Sequence, residues 1–495
     1  MSQRPNRPTN RPTNRAVRRD YSLTGPEAKA AVAAGFDNAE WYQVPVDPER
    51  LKVLMARRNA RPAADAVLWA VLVVGAGALA FISLGTWWAI PAFAAFGTMW
   101  GGSADSRWHE NGHGTVFRTS WANDVLYNIA AFMMLREPTL WRWQHVCHHS
   151  NTQIVGLDPE VTIKRPTSFV YVALNYLNLV NGPKMLWKIV VHAAGHCEEY
   201  TRIIVPAAKF RRVVWEARIF LLLLVGALVA AVELGTIWPL LFVGLPSFYG
   251  AWFMWFCAVT QHAGLREDVL DHRMSTRTVY MNPVFRFLYL NMNYHIEHHM
   301  FPSVPYYNLP DLHEEIKAYL PPPKTSLLAA YREVFHAVRM QQKDTAWEID
   351  RGWAPPVEPS AVDRERAARS VTIALGPGET ELGDAGMLAP GQLVPVEVGG
   401  ANYVLCRMLD GSYAFFDGIC THGRARLAGG YLDDCVIECP KHNGRFDVRT
   451  GQAVRPPAVK PLCTYPVRIQ GGRLLVALPP REALAAPALS SDLAI

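Results

Sequence analysis

The sequence predicts a multi-domain chain with an α-helical membrane domain followed by an all-β domain. Half of the 495 residues are hydrophobic and 19% are charged, whereas soluble proteins usually contain about 25% charged residues. Long apolar runs occur up to about residue 260, and short β-type runs occur after residue 390. A helical membrane region and a separate β domain explain this distribution better than one soluble domain.

Changes in composition divide the chain into five segments. Residues 1–60 are polar and begin with a repeated Arg-Pro-Thr-Asn sequence, so we expect this segment to be partly disordered. Residues 61–340 contain the apolar runs, and residues 371–482 contain the β-type runs. The charged stretch 341–370 between them is a predicted linker, and residues 483–495 are a predicted C-terminal tail.

Four apolar runs predict about four transmembrane helices. Residues 66–84 contain no charged side chain and would cover about 28 Å as a helix, close to the thickness of a bilayer core. The other runs are residues 86–102, 219–232 and 235–260. Lys and Arg precede the first and third runs and are absent from the turns within each pair. The positive-inside rule therefore places both termini in the cytoplasm.

Two further segments, 121–135 and 168–191, are apolar but contain Asn, and the second also contains Lys. They fit helices that lie in the membrane interface. Ordinary helices of a cytoplasmic cap on the membrane domain explain them equally well, so the sequence leaves both interpretations open.

The C-terminal region contains short runs that are typical of β-strands. Two of them are joined by Gly471-Gly472, which predicts a terminal hairpin in an all-β domain. The predicted strands cover residues 393–398, 403–409, 413–416, 431–439, 465–469 and 474–478.

Nine of the sixteen histidines are predicted to meet on one side of the membrane. Eight of them form three tight groups, and side chains three or four residues apart share one helix face, with Cβ atoms about 5–6 Å apart. The ninth follows the fourth apolar run. The nine residues are His109, His113, His145, His148, His149, His262, His295, His298 and His299.

Nine imidazoles exceed the ligands of one metal ion and suit two ions with four or five ligands each. Neutral imidazole binds Fe, Zn, Cu or Ni, so the residue type alone leaves the metal open. His192 and His196 have the same spacing and are alternative ligands. Metal-bound imidazoles usually donate their second N–H to a carboxylate or carbonyl. Candidates for this role, each also explicable as an ordinary structural charge, are Glu110, Asp158, Glu297 and Asp268.

The three groups resemble the histidine boxes of the membrane fatty-acid desaturase/hydroxylase superfamily over about residues 61–340. They read His109-Glu-Asn-Gly-His113, His145-Val-Cys-His-His149 and His295-Ile-Glu-His-His299. The resemblance implies that the nine histidines bind two non-haem irons, activate O₂ and are the catalytic residues. It also suggests that Asn291, four residues before His295, completes the metal shell through water.

Two features depart from the acyl-CoA desaturases. Ala258 occupies the position, four residues before His262, at which those enzymes have an asparagine ligand, and the first box has three intervening residues instead of four. The sequences at residues 156–160, 261–268 and 291–302 are instead similar to the bacterial branch that includes the rhizopine oxygenase. That oxygenase works with a Rieske ferredoxin.

A second metal site is predicted in the β domain by Cys420-Thr-His422 and Cys439-Pro-Lys-His442. Two thiolates and two imidazoles suit a Rieske [2Fe-2S] cluster, and the same four ligands also suit zinc. The continuation through residues 443–457 resembles Rieske ferredoxins, which favours the cluster.

The two cluster loops lack a further cysteine. Gly423 and Lys441 stand where the high-potential Rieske proteins of respiratory chains have an additional disulfide. The resemblance therefore implies a low-potential cluster of the ferredoxin type, which suits electron delivery to an oxygenase.

These features together predict a membrane-bound non-haem di-iron oxygenase that hydroxylates or oxidatively demethylates an organic substrate with O₂. The chain has no glycine-rich dinucleotide motif after a predicted strand, so electrons are expected from an external NAD(P)H-dependent ferredoxin reductase. The other expected partners are a lipid bilayer and a small-molecule or lipid substrate. Nucleic acid is not expected, because basic residues do not alternate with aromatic ones.

Two other functions use the same motifs. A fatty-acyl or lipid desaturase, or a ketolase, would use the same iron site. A non-catalytic Rieske electron carrier would need only the membrane anchor and the cluster. In each case the protein is predicted to be a multi-pass protein of a bacterial-type cytoplasmic membrane, with both metal sites on the cytoplasmic side.

Overall fold

The computed structural model describes residues 18–39, 41–353, 371–373, 378–423, 425–441 and 443–478. Helices occupy the chain as far as residue 341, and strands begin at residue 371. The predicted order of a helical region and a C-terminal β domain is therefore confirmed. The N-terminal repeat, the C-terminal tail and residues 354–370 of the predicted linker lie outside the described residues.

The polar N-terminal segment contains two short helices, α1 (Pro26–Ala33) and α2 (Pro48–Met55). Asp47 caps α2 because its side chain accepts a hydrogen bond from the backbone N–H of Arg50. Trp41, Val44 and Leu54 are buried, so part of this segment packs against the helical region.

Seventeen further helices are present in the described residues. They are α3 (Ala60–Ile82), α4 (Ala89–Gly97), α5 (Ala104–His113), α6 (Ser120–Met133), α7 (Pro138–Ser150), α8 (Phe169–Asn175), α9 (Asn181–Ala193), α10 (Glu199–Ile204), α11 (Phe210–Glu233), α12 (Trp238–Phe242), α13 (Pro246–Tyr249), α14 (Ala251–His262), α15 (His272–Ser275), α16 (Pro283–Leu288), α17 (His295–Met300), α18 (Leu309–Ile316) and α19 (Leu327–Gln341).

Among the described helices, α3 and α11 are long and apolar enough to cross a membrane. Few of their apolar side chains are buried, 11% in the most apolar part of α3 and 22% in that of α11. The prediction of four transmembrane helices is therefore not confirmed. The short third run, residues 219–232, proves to be part of the long helix α11.

The second and fourth apolar runs are interrupted. Residues 86–102 comprise α4 and a π-helical turn, Thr98–Gly102, and residues 235–260 are divided among α12, α13 and α14. Prolines lie in the first turns of α12 and α13, and Gly244 between these helices has a φ of +89°. Proline begins helices well but does not continue them, which explains the breaks.

The two interrupted runs pack closely through glycine. A Cβ atom on Gly250 would lie 1.9 Å from the carbonyl oxygen of Gly97, and one on Gly101 would lie 2.1 Å from that of Pro246. The backbones therefore approach only because these residues have no side chain. This contact fixes the start of α5, which contains the first two histidines.

Helices α8 and α9 correspond to the apolar segment 168–191 and expose large apolar side chains. Phe169, Val170 and Leu174 on α8 and Trp187 on α9 are at least 41% exposed. These two helices therefore present large apolar side chains on the surface of the helical region.

Within its described residues, the β domain forms three sheets, with strand orders β1-β3-β4-β5-β10, β11-β12-β2 and β6-β7-β8-β9. The strands are β1 (Val371–Ile373), β2 (Glu379–Asp384), β3 (Gln392–Val398), β4 (Ala401–Arg407), β5 (Tyr413–Asp417), β6 (Tyr431–Asp433), β7 (Val436–Glu438), β8 (Arg445–Asp447), β9 (Ala453–Arg455), β10 (Thr464–Tyr465), β11 (Val467–Gln470) and β12 (Arg473–Ala477).

The terminal hairpin is confirmed, and two strand predictions are wrong. Residues 465–469, predicted as one strand, are divided between β10 and β11, which lie in different sheets. Gln470 pairs with Arg473 across Gly471-Gly472, and both glycines have positive φ, as two-residue hairpin turns require. Residues 431–439, predicted as one strand, instead form the hairpin β6–β7. Asp434, at its turn, has a φ of +53°, a conformation that aspartate tolerates better than most residues.

Candidate metal centres

Four helices direct the nine predicted histidines toward one region. Helices α5, α7 and α17 contain the three groups, and α14 ends at His262. The eight histidines of the groups are buried, and His262 is half-buried. The packing of these helices therefore removes from water a set of polar side chains that must find partners inside the protein.

The histidines form two adjacent groups. In each group, all the candidate ligand atoms lie within 4.8 Å of one another. The Nε2 atom of His295 lies 3.0 Å from those of His262 and His299, and the stacked rings of His149 and His299 join the groups, with centroids 4.2 Å apart. The first group comprises His109, His113, His145, His149 and His298, and the second comprises His148, His262 and His299.

The chemistry of these side chains fits two metal ions. Nε2 atoms converge, with distances of 2.7 Å between His109 and His298 and 3.1 Å between His145 and His149. Burial, followed by repulsion from neighbouring imidazoles, holds the pKa of His109, His149 and His299 well below the ordinary histidine value. Neutral imidazoles with converging lone pairs are what metal binding requires, so the cluster fits a di-iron site.

Two of the predicted carboxylates lie beside the histidines. Both oxygens of Asp158 lie 3.0 Å from Nδ1 of His148, and a Glu110 oxygen lies 3.4 Å from Nδ1 of His298. An Nδ1–H that donates outward leaves Nε2 free to face the metal. The structure thus shows Asp158 accepting a hydrogen bond from His148, whereas Glu110 lies near His298 without forming a hydrogen bond to it.

Three further partners were not predicted from the sequence. Glu160 lies 3.2 Å from Nδ1 of His145, the Thr152 hydroxyl 3.1 Å from Nδ1 of His299, and the Ser275 carbonyl 3.0 Å from Nδ1 of His262. Glu160 lies only two residues after Asp158, and this proximity is the sequence feature that could have identified it as a histidine partner. A threonine hydroxyl and a backbone carbonyl have no distinctive sequence signal.

The expected role of Glu297 and Asp268 is corrected by their contacts. Glu297 accepts hydrogen bonds from the Thr278 hydroxyl and from His313, which is outside the nine. Asp268 accepts from the backbone N–H of Val155 and pairs with Arg19. Glu297 lies on α17 and Asp268 lies in the loop after α14. Both carboxylates therefore bind groups of neighbouring segments, because these elements point them away from the converging imidazoles.

Asn291 and His192 are also engaged elsewhere. The Asn291 amide accepts from Arg286 and donates to the carbonyl of Tyr306, which corrects the expectation that it faces the metals. His192, an alternative ligand in the sequence, lies between two carboxylates, with each ring nitrogen 2.6 Å from an oxygen of Glu137 or Glu198. It is therefore an ion-paired residue in this structure.

The second site lies on two equivalent loops of the β domain. The buried residues Cys420 and Cys439 each donate a backbone N–H to the carbonyl five residues later, at 2.8 Å. The neighbouring Cys439 thiol lowers the pKa of Cys420 to about 7. His422 lies in the first loop, and His442 lies outside the described residues. The structure therefore brings the two predicted cysteine ligands together.

The β domain contacts the histidine site through its second cysteine loop. The buried Asn443 side chain donates to Ser303 at 3.0 Å and to Glu438 at 2.7 Å. Asn443 and His113 also line one small cavity. One amide side chain, four residues after Cys439, thus lies beside a histidine of the first group.

Arginine side chains surround this contact. The Arg455 guanidinium donates to the Gly112 carbonyl at 3.0 Å, and that of Arg445 donates to the Gly114 carbonyl at 3.2 Å. Gly114 has a φ of +65°, and a Cβ there would lie 1.7 Å from Arg455. Glycine suits this left-handed conformation at the end of α5, and a side chain there would displace the Arg455 guanidinium.

A buried ion pair joins the two regions. Arg57, just before α3, places one guanidinium nitrogen 2.6 Å from both oxygens of Glu438, and Arg445 lies 2.6 Å from the same carboxylate. Burial alone would raise the pKa of Glu438, but the two arginine charges outweigh it and lower the pKa to about 2. The carboxylate is therefore ionised at neutral pH.

The two sides of the histidine cluster differ. Toward the β domain, a cavity of about 20 Å³ beside His109 and His113 is closed by Asn443 and Arg455. On the other side, a cavity of about 50 Å³ is lined by His148 and His262, together with Glu160, Ala258 and Gln261. One side is thus covered by the cysteine-loop domain, and the other has space beside the second histidine group.

Comparisons with known proteins match both regions. Residues 85–329 match the fatty acid desaturase family, and residues 379–466 match the Rieske [2Fe-2S] domain. The ferredoxin component of the naphthalene 1,2-dioxygenase/salicylate 5-hydroxylase systems of Ralstonia sp. is 44% identical over 86 residues, which are 17% of this chain and 82% of that protein.

Two further ferredoxins match the same region. The ferredoxin component of the Pseudomonas putida naphthalene 1,2-dioxygenase system is 43% identical over 88 residues, 18% of this chain and 84% of that protein. The solved structure of Sphingomonas yanoikuyae B1 ferredoxin is 36% identical, covers 20% of this chain and 97% of its own, and has a TM-score of 0.19. The chain is therefore a fusion of a fatty acid desaturase family domain with a C-terminal Rieske [2Fe-2S] ferredoxin domain.

Proposed function

We propose that this protein is a membrane-bound non-haem di-iron oxygenase that hydroxylates, or oxidatively demethylates, an organic substrate with O₂. Electrons would reach the iron site from the fused Rieske cluster. The observation that most supports this is the small cavity that Asn443 and His113 both line. It brings the residue after a predicted cluster ligand, His442, next to a histidine of the first group.

The protein residues have separable roles in this proposal. The two histidine groups would each hold one iron, with His295 between them. When bound, the irons would supply the reduction of O₂ and the oxidation of a substrate C–H bond. Asp158 and Glu160 hold Nδ1–H of His148 and His145 and so keep their Nε2 atoms directed inward. Burial of the histidine groups excludes bulk water from the reacting region.

Electron supply is proposed to require a separate NAD(P)H-dependent ferredoxin reductase. The relatives of the β domain are named as ferredoxin components of dioxygenase systems, and a Rieske cluster transfers single electrons. Fusion keeps such a donor at high effective concentration beside its acceptor. The reductase would therefore reduce the cluster, and the cluster would reduce the iron site.

The membrane orientation follows from the positions of charged residues. Arg57, Arg58 and Arg61 lie at the start of α3, and Lys209, Arg211 and Arg212 lie at the start of α11. Arg57 contacts the β domain, so the basic end of α3 lies on the side of the metal sites. We infer a cytoplasmic location for both sites and a bilayer around α3 and α11.

A desaturase or ketolase is the second candidate, and the match of residues 85–329 to the fatty acid desaturase family favours it. Both reactions begin with oxidation of a C–H bond and use the same residues. A non-catalytic electron carrier is disfavoured, because it would have no use for nine converging imidazoles.

One experiment separates these functions. Cells that express the wild type, His148→Ala or the exposed-histidine control His196→Ala would be grown under heavy-isotope O₂ and examined by untargeted mass spectrometry. A product that needs His148 but not His196 and has gained one labelled oxygen would identify hydroxylation, and one that has gained an oxygen and lost two hydrogens would identify a ketolase. An unlabelled product lighter by CH₂ would identify demethylation. An unlabelled product lighter by two hydrogens would contradict the oxygenase and establish desaturation. Absence of any His148-dependent product would favour the electron carrier.

A further inference from the structure

A short piece of the N-terminal segment, Ala39 and residues 41–44, lies between the second cysteine loop and the histidine helices. The side-chain amine of Lys441, the residue before a predicted cluster ligand, donates to the Ala39 carbonyl at 3.2 Å. At the other end, the backbone N–H of Val44 donates to the sulfur of Met300, the last residue of α17, at 3.4 Å. This piece of the chain thus joins the β domain to a helix of the histidine site.

Trp41 is the aromatic residue in this piece of chain, and it is 8% exposed. Its indole N–H donates to the carbonyl of Ser150 at 3.0 Å, and Ser150 directly follows His149 of the first histidine group. The indole ring stacks on the imidazole of His272, with centroids 4.2 Å apart and planes 8° from parallel. A hydrogen bond at the ring edge and a stacked partner on the ring face fix the position of the indole.

His272 continues the series of rings toward the second histidine group. It is buried, and its ring centroid lies 5.2 Å from that of His299. Burial, then the charges of His148 and Lys441, lowers the pKa of His272 to about 3, so the second cysteine loop lies close enough to influence this ring. Within the described residues its Nδ1 forms no hydrogen bond, so bonding through that nitrogen does not explain a histidine at this buried position.

These contacts form a continuous series from the second cysteine loop to the second histidine group. The contact of Lys441 with Ala39 is the first, and the covalent chain leads from there to Trp41. The ring contacts with His272 and then with His299 complete the series. Electron tunnelling weakens steeply with distance and is faster through bonded or touching groups than across gaps. Stacked aromatic rings between the two sites are therefore suited to transmit an electron.

We propose that the stacked pair of Trp41 and His272 is the path by which the β domain reduces the second histidine group. This inference rests on the proposed function, in which the cluster supplies the electrons. In each transfer the reduced [2Fe-2S] cluster loses one electron and an iron held by the second group gains it, and no bond forms or breaks. The two rings lie between donor and acceptor and are themselves neither oxidised nor reduced.

A second contact between the two sites competes with this path. Asn443, the residue after His442, lines the small cavity beside His113 of the first group. Its side-chain amide donates to Ser303 and Glu438, and an amide has no ring with which to stack. The pair of stacked rings therefore offers the better electronic coupling, and the two contacts predict different effects of mutation.

The test measures electron transfer and the separation of the two sites in the same protein. The iron-loaded full-length protein would be reduced with dithionite and mixed with O₂ in a stopped-flow instrument, with His148→Ala as the background. Absorbance would follow reoxidation of the cluster. In parallel samples, electron paramagnetic resonance would measure the spin relaxation of the reduced cluster, which paramagnetic iron nearby accelerates. A redox titration would measure the cluster potential.

Trp41→Leu and His272→Leu each remove one ring of the stack, and Trp41→Phe keeps a ring in place. Trp347→Leu is the matched control, because Trp347 packs against another histidine, His336, with centroids 5.5 Å apart. Both ring-removing variants should slow the His148-dependent reoxidation at least tenfold. Trp41→Phe should retain most of the rate, and the control should equal the wild type. Iron content, spin relaxation and cluster potential should be unchanged in all four variants.

An unchanged rate in Trp41→Leu and His272→Leu would overturn the proposal. A slow rate in Asn443→Ala, with both ring-removing variants at the wild-type rate, would instead assign the electron to the first group. Loss of iron, or of fast spin relaxation, together with the rate would show that the stack only maintains the structure, and would also overturn the path. A wild-type cluster whose reoxidation does not depend on His148 would contradict the proposed function itself, which separates that failure from failure of the path.

Discussion

At the scale of residues, the imidazoles of the metal site are oriented by oxygens from a short stretch after α7. Asp158 is nearly fully buried and accepts the backbone N–H groups of Gln153 and Glu160 at 2.7 Å, in addition to His148 Nδ1–H. Both carboxylate oxygens thus accept hydrogen bonds from N–H donors. In an asparagine at this position, the side-chain NH₂ group would replace one of these oxygens and would face an N–H donor instead of accepting from it.

Asp158→Asn is therefore expected to lower metal affinity by about 10–100-fold, the usual effect of losing such a partner. Iron content would be measured after dialysis against a graded series of chelator concentrations. Asp124→Asn, at an exposed ion pair with Arg142, is the matched control and should retain iron like the wild type. Equal retention in both variants would show that Asp158 does not orient a ligand.

His192 gives a prediction about pH. Burial alone would lower its pKa, but the hydrogen bonds to Glu137 and Glu198 outweigh it and raise the pKa to about 9. The unfolded value is about 6.5, so this contribution to stability is complete below pH 6.5 and is lost as pH rises through 9.

His192→Gln should therefore lower the thermal midpoint most at pH 6 to 7, and its difference from the wild type should shrink by pH 10. The midpoints of both proteins in detergent across this range would test the prediction. His196→Ala should differ little from the wild type at any pH, because that side chain is exposed. A difference for His192→Gln that grows with pH would contradict the assigned charge.

The residue types and spacings predicted the nine converging histidines and two of the carboxylates beside them. They did not distinguish Glu160, which lies beside His145, from Glu297, which pairs with His313. Both glutamates lie near a histidine group in the sequence. Their different partners depend on how α17 and the loop after α7 are packed, and this is not a local property of the chain.

At the scale of elements, α3 and α11 expose apolar surfaces that suit contact with lipid. Leu222 on α11 is 71% exposed. A charged residue at the centre of a membrane helix costs about 2.5–3.5 kcal/mol in insertion. A charged residue in place of Leu222 should therefore impair membrane insertion, whereas the same substitution at an exposed leucine in water should have little effect.

Leu222→Arg is expected to reduce the amount of protein recovered in the membrane fraction severalfold. The matched control is Leu409→Arg, because Leu409 is 63% exposed in the β domain and should remain in water. Quantitative immunoblotting of membrane and soluble fractions would compare the two. Equal recovery of both variants would argue against a bilayer around α11.

The apolar runs predicted where helices occur but not that two of the four runs would be interrupted. The average hydrophobicity of a run is insensitive to helix-breaking residues. Pro239, Gly244 and Pro246 lie within the fourth run and indicate its interruptions. In the β domain, the hairpin at Gly471-Gly472 was predictable because its turn has a specific chemistry. The turn at Asp434-Cys435 lacks glycine, and its two strands were predicted as one.

At the scale of the whole molecule, the β domain covers one side of the histidine site through a buried charge network. Glu438 lies between Arg57 and Arg445, and Asn443 lines the same small cavity as His113. The sequence did not predict this arrangement, because a linker of about thirty residues permits many relative positions. Only the three-dimensional complementarity of the surfaces selects one.

Arg57→Ala should slow electron transfer from the cluster to the histidine site, because it removes an interdomain ion pair whose loss costs about 3–5 kcal/mol when buried. The rate would be measured by stopped-flow oxidation of the dithionite-reduced cluster with O₂, with His148→Ala as the background. Arg50→Ala, which removes the exposed pair with Glu315, should leave the rate unchanged. If Arg57→Ala and Arg50→Ala gave the same rate as the wild type, this contact would have no role in electron delivery.

The central claim is that one chain holds a cysteine-ligated cluster and a separate pair of histidine-bound irons. Mössbauer spectroscopy of the full-length protein, enriched in ⁵⁷Fe, tests it most directly, with Cys420→Ser and His148→Ala for comparison. Two sets of iron signals are expected in the wild type. Cys420→Ser should lack only the cluster set, and His148→Ala should be weakened only in the other set. A wild-type spectrum with cluster iron alone, or zinc in the histidine site by elemental analysis, would contradict it.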